Sequence, residues 1–231
     1  MAEKGQHQYV KFSFYKVDNQ WRRLPAAEKR MGSDEFLAAV TEAPDGLMIR
    51  SYNLQGTRGD VDFMIWTASR DLEDIQDLAV SLNASGLGHF LTQPHSYLAM
   101  TRRSMYIESH RHAGQEGTRL RVRPTGSRYL FIYPFVKTDA WYQLSKDIRQ
   151  EMMNEHFQIG HKYPSIRINT TYSYGLDDQE FVLAFETDKP EDFLDLVMEL
   201  RESKARPYTL RDTPIFTCVA AELEEILESL G

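Results

Sequence analysis

One cysteine, Cys218, is all the 231-residue chain carries. That excludes an internal disulfide and a multi-cysteine metal site, and it fits a reducing compartment. Long apolar runs are missing too, since nowhere do enough apolar residues follow one another to cross a bilayer. The opening residues, MAEKGQHQYV, lack the apolar core of a secretion signal. The expectation is therefore a cytoplasmic protein with no membrane span. Basic residues are outnumbered, and the formal net charge of −7 makes nucleic acid a poor partner. CxxC, Walker and GxGxxG patterns are absent, which removes the common zinc and nucleotide sites. What is present is 42% apolar residues, enough for a packed core.

The chain also carries an internal repeat. Asp62–Leu82 aligns without a gap onto Glu180–Leu200, with Phe63/Phe181, Glu73/Glu191, Asp74/Asp192, Asp77/Asp195, Leu78/Leu196 and Leu82/Leu200 identical. Duplication predicts two similar halves. In the first, Tyr9–Val17 reads as a strand, Pro25–Val40 as a helix, and Leu47–Asn53 with Asp62–Thr67 as a strand pair around GTRGD. Asp71 stands at the N-cap position of a second helix, and a strand follows near Ser96–Thr101. This β-α-β-β-α-β order is the ferredoxin-like unit. In the second half the corresponding segments are Tyr129–Lys137, a single helix Trp141–Ile159, the hairpin Ser165–Tyr174 and Glu180–Thr187, a helix Glu191–Ser203, and a closing strand Pro214–Ala220. A short acidic helix, Ala221–Leu230, ends the chain. The expected fold class is α+β, duplicated ferredoxin-like halves packed as a dimeric α/β barrel, with residues 1–104 and 129–231 as the halves and 105–128 as a polar, basic linker loop.

Tyr133, Trp141 and His156 are read as having no counterparts in the first half, so the second half is where chemistry is sought. Leu144, Ile148, Met152 and His156 recur at i+4 and predict an inward stripe ending in the imidazole. A core histidine satisfied by a backbone carbonyl is the plain explanation. The sharper one is an axial ligand to haem iron, because a porphyrin supplies the other four donors. Trp141 is either an ordinary core tryptophan or a neighbour of that macrocycle. Phe131, Tyr133 and Phe135 share one strand face, and Lys137 follows on it. Tyr133 reads as a half-buried structural residue by propensity, and Lys137 as an edge charge or a carboxylate contact. Arg167 and Asn169 share a face of their strand; Arg167 is an anion-binding candidate or a surface ion pair. Arg119, Arg121 and Arg123 form a solvated basic strip or a carboxylate grip.

Several motifs taken together carry a resemblance: YPFVKTDAWY (Tyr133–Tyr142), MMNEHFQIGHKY (Met152–Tyr163), GLDDQEF (Gly175–Phe181), LVMELR (Leu196–Arg201) and TPIFT (Thr213–Thr217). In their order and spacing the chain resembles the chlorite dismutase-like family of haem proteins. The resemblance implies a homopentamer, a porphyrin in the second half, His156 as the proximal iron ligand and Trp141 as the tryptophan beside the ring. Two activities occur in such proteins. Chlorite dismutases turn chlorite into chloride and dioxygen with a distal arginine, but its position is held here by Asn169. The glutamate they bond to the proximal histidine is replaced by Ala205. Coproheme decarboxylases keep their active tyrosine in a YP motif, matched by Tyr133-Pro134, and the Tyr133-to-His156 spacing is similar to the actinobacterial type.

The resemblance thus implies peroxide-dependent oxidative decarboxylation of iron coproporphyrin III (coproheme) to haem b. The porphyrin is then both substrate and cofactor, and hydrogen peroxide the co-substrate. Tyr133 is implied as the radical-forming residue and His110 as the distal base, with His112 second. Lys137, Arg119 and Thr213 are implied contacts to the propionates. Chlorite dismutation, a haem-binding protein without turnover, and a barrel module without porphyrin are the alternatives.

Overall fold

β-Branched and aromatic runs form the strands, and amphipathic stretches bounded by Pro, Ser and Gly form the helices. The computed structural model describes residues 7–106 and 120–231. They divide into two units: the chain up to Met100 together with Thr217–Gly231, and Thr101–Phe216.

The first unit runs β1 (Tyr9–Val17), a 3-10 turn at Trp21–Arg23, α1 (Ala26–Thr41), β2 (Met48–Asn53), β3 (Phe63–Ser69), α2 (Leu72–Ala84) and β4 (Leu91–Met100). Its sheet is antiparallel, with β1 between β3 and β4, and β3 between β1 and β2. Asp71 occupies the N-cap of α2, but its side chain makes no capping bond. The core joins Tyr15, Val17, Trp21, Phe36, Phe63, Leu78 and Leu82.

The second unit runs β5 (Tyr129–Lys137), α3 (Asp139–Gln143), α4 (Lys146–Gly160), β6 (Arg167–Tyr172), β7 (Phe181–Thr187), α5 (Pro190–Arg201) and β8 (Thr209–Arg211). β7 pairs with both β5 and β6, and β8 pairs with β5, all antiparallel. Phe131, Tyr133, Phe185, Phe193, Leu196 and Ile159 of α4 form its buried cluster.

Three expectations are corrected. The single helix Trp141–Ile159 is broken: Leu144 is extended, and Ser145 restarts the helix by accepting a bond from the Ile148 amide at 3.3 Å. Leu144 therefore lies outside α4, and Ile148 is 45% exposed, so the inward stripe does not reach them. Next, the closing strand is split in two: β8 (Thr209–Arg211) pairs with β5, and β9 (Phe216–Ala220) pairs with β2 through Tyr52 and Asn53. α6 (Leu223–Ser229) then buries Leu223, Ile226 and Leu227 in the first unit's core, so the 129–231 boundary gives way to one near Phe216.

Finally, Trp141 does have a counterpart. β1 and β5 have equal length, and each is followed by a one-turn helix whose Trp amide bonds a carbonyl before it: Trp21 to Asp18, and Trp141 to Thr138. Leu24 and Leu144 close those turns identically. Small differences in loop length shift this part of the repeat out of register with the Asp62–Leu82 alignment, which hid the match. In this frame Phe36 is the equivalent of His156 and Val17 of Lys137. The first unit fills both places with buried apolar side chains; the second puts an imidazole and an ammonium there.

Candidate active site

Lys137 ends β5, and its amide donates to Glu180 Oε2 at 2.7 Å. Its Nζ lies over the Trp141 ring at 4.3 Å from the centroid and 5.1 Å from that of Phe135. A cation over an indole face is attracted by the ring quadrupole. Burial lowers the Lys137 pKa to about 8, with Arg206 adding to the fall and Glu180 opposing it. Trp141 is 3% exposed and touches Tyr106 edge-on at 6.4 Å and Tyr208 at 5.7 Å.

His156 projects from α4 beside this group. Its residue is half-buried, yet protein surrounds the ring closely enough that desolvation lowers the pKa to about 4. The nearby Lys137 charge lowers it further, and Glu155 opposes. Among the described residues its only ring contact is with Phe157, at 6.2 Å between centroids. Among the described residues neither imidazole nitrogen has a hydrogen-bond partner. The satisfied core histidine is thus not what α4 presents; a neutral imidazole with a free lone pair is.

Tyr133 stacks on Phe185 at 5.7 Å with the rings 18° apart. Burial raises its pKa strongly, Asp212 raises it further, and Arg201 and Arg206 pull the other way. Asp212 accepts from Arg206 at 2.6 Å and Arg201 at 3.0 Å. This ion cluster near a buried phenol escaped the sequence reading, because no spacing rule links Arg201, Arg206 and Asp212.

Arg167 and Asn169 stand elsewhere. Paired residues of an antiparallel sheet share a face, and Arg167 pairs with Glu186, which pairs with Leu130. Tyr133 points to the other face from Leu130. Asn169 donates to the buried Glu186 at 2.8 Å, and Thr125 N and Oγ1 hold the same carboxylate at 2.7 and 2.8 Å. Arg167 and Asn169 therefore lie on the face of the sheet opposite Tyr133. Thr213 is exposed and adjoins Asp212. His110, His112 and Arg119 lie outside the described residues.

Among the described residues no group of three or more His, Cys, Asp or Glu side chains could hold a metal ion. A lone imidazole suits a metal that arrives with its own donors. Also among the described residues, no helix is long and apolar enough to cross a membrane.

Two duplicated α+β units, one of which exchanges core side chains for an available imidazole and a desolvated lysine, define the class of protein. A family model described as Chlorite dismutase matches residues 29–221. The chain belongs to that family. It is 32% identical over 200 residues to a coproheme decarboxylase of Mycolicibacterium smegmatis, covering 85% of this chain and 84% of that one. It is 29% identical over 212 residues to a coproheme decarboxylase of Staphylococcus carnosus, covering 84% of each. A solved mutant chlorite dismutase from Candidatus Nitrospira defluvii superposes with a TM-score of 0.87 at 27% identity, over 96% of this chain and 94% of that one.

Proposed function

We propose that the protein is a peroxide-dependent decarboxylase of iron coproporphyrin III, forming haem b. The observation that carries this is the His156 imidazole, neutral by desolvation and without a hydrogen bond to any described residue, where the sister unit has a sealed phenylalanine. The surrounding residues fit such a substrate. His156 would offer a nitrogen donor to the iron, Trp141 and Phe135 offer apolar faces, and Lys137 offers a positive charge for a carboxylate arm. The curated relatives named for the same activity support the reading.

When bound, the iron porphyrin supplies oxidising power taken from hydrogen peroxide and presents the propionates to be cleaved. The chain's own residues do the rest. His156 would hold the iron of the bound porphyrin through its imidazole. Burial and the Asp212 charge keep the Tyr133 phenol protonated at working pH. That phenol gives up an electron and its proton, then recovers a hydrogen atom from the propionate chain. A second electron leaves the propionate, its carboxyl departs as carbon dioxide and a vinyl group remains. The peroxide leaves as two waters, so each round balances. Lys137, desolvated but still mostly protonated near neutrality, orients a carboxylate by a charge-assisted bond. His110, or His112 after it, is the proposed base for peroxide, and histidine suits that task near neutral pH.

Chlorite dismutation is the second reading, favoured by the family match and the solved neighbour. Against it stands Asn169, whose amide is spent on Glu186. Mass analysis of the porphyrin after adding coproheme and peroxide separates the two. The decarboxylase reading expects two carboxyl equivalents lost and no dioxygen from chlorite. Tyr133→Phe should bind coproheme yet return it with its mass unchanged; full conversion by that variant removes the radical role.

A further inference from the structure

Arg149 stands on α4 about two turns before His156, on the same helix face. The inward side of that helix runs through Arg149, Met152, Met153, His156 and Ile159, and an amphipathic helix would place apolar residues along it. Arg149 breaks the pattern. Its Nε is buried and, among the described residues, has no hydrogen-bond partner. No described residue forms an ion pair with its guanidinium. A buried charged donor without an acceptor is costly to keep, and each such group calls for an explanation.

The next residue ties this stretch to the site. Gln150 Nε2 donates to the Tyr106 carbonyl at 3.0 Å, and the Tyr106 ring packs against Trp141, over which Lys137 lies. Arg149 thus belongs to the α4 stripe that carries the imidazole, at the end bound to the Trp141 cluster. An Nε–Nη edge matches the two oxygens of a carboxylate.

We propose that Arg149 is a carboxylate anchor for the tetrapyrrole, gripping one of its peripheral acid arms side-on through Nε while His156 holds the metal. This rests on the porphyrin reading above and extends it: the site selects porphyrins with free acid arms, and Lys137 and Arg149 hold different ones.

The test is spectroscopic titration of the full chain with ferric coproporphyrin III and with its methyl ester. Arg149→Gln is expected to weaken coproporphyrin binding about tenfold or more and to leave ester binding unchanged. Arg149→Lys, which keeps the charge but lacks Nε, should recover only part of the affinity. A structural arginine would lose stability on replacement. An anchor awaiting its ligand should not, so the melting temperature of ligand-free Arg149→Gln should equal or exceed that of wild type. Coproporphyrin affinity within twofold of wild type in Arg149→Gln overturns the proposal and leaves the function standing. Wild-type protein that binds neither porphyrin overturns both. Should Arg149→Gln give no soluble protein, the proposal is overturned unless Arg149→Lys folds and shows the weakened, ester-insensitive binding.

Discussion

Residue by residue, chemistry arises where solvent is withdrawn from a polar group without a full set of partners in exchange. Lys137 shows the balance most clearly. Its ammonium is stabilised by the Trp141 face but penalised by burial, and the penalty wins, leaving a pKa of about 8. A bound carboxylate would raise that value, so binding is coupled to the protonated form. Coproporphyrin affinity should therefore fall as pH rises above about 8, and Lys137→Met should flatten the profile. Titrations across that range check this; an identical pH dependence in both proteins argues against a Lys137 contact. Tyr133 is a candidate through the YP motif of the resemblance. The Asp212–Arg206–Arg201 cluster that tunes its surroundings was not legible, since those residues meet only through folding of the α5–β8 region. Which face Arg167 and Asn169 take was not legible, because a shared face says nothing about which face; the pairing through Glu186 decides it.

Among the elements, α4 carries His156, the proposed iron ligand. Its hydrophobic spacing was readable, but the break before it was not, because Trp141, Leu144 and Ile148 continue the apparent period across Ser145. The Ser145 cap, a local signal, outweighed the periodic one. Comparison with α1 shows what α4 gives up. Phe36 is completely buried and packs edge-on against Tyr15 at 6.3 Å and Phe63 at 6.1 Å. His156, in the equivalent place, has a folded pKa near 4 against an ordinary 6.5. The unfolded chain therefore takes up a proton first as pH falls. Stability tied to this group is complete above about 6.5 and is lost as pH drops toward 4. His156→Phe should remove that part of the acid sensitivity and stabilise the ligand-free protein by about 1 kcal/mol through apolar burial. Denaturant melts at pH 7 and pH 5 measure both effects. A variant with unchanged acid sensitivity would show that the imidazole is not the desolvated group.

For the molecule as a whole, the duplication explains both the ease and the limits of the sequence reading. Repeated strands and helices gave two ferredoxin-like units because each carries its own period and turn residues. The ownership of the last strand and helix could not be read that way. Pro214–Ala220 has the pattern of a strand, but pattern does not name the edge it joins, and burial of Leu223, Ile226 and Leu227 binds the tail to the first unit's core. Duplication also supplied an internal reference. One copy keeps a closed apolar core; in the other, an imidazole and an ammonium stand where Phe36 and Val17 are buried in the first. Sites built for ligands commonly sacrifice stability in this way. The most direct measurement is the absorption spectrum of wild-type and His156→Phe protein loaded with ferric coproporphyrin III. The wild type should show an imidazole-bound iron; the variant should lack that signature and regain it on adding free imidazole. An unaltered spectrum in His156→Phe would contradict the account.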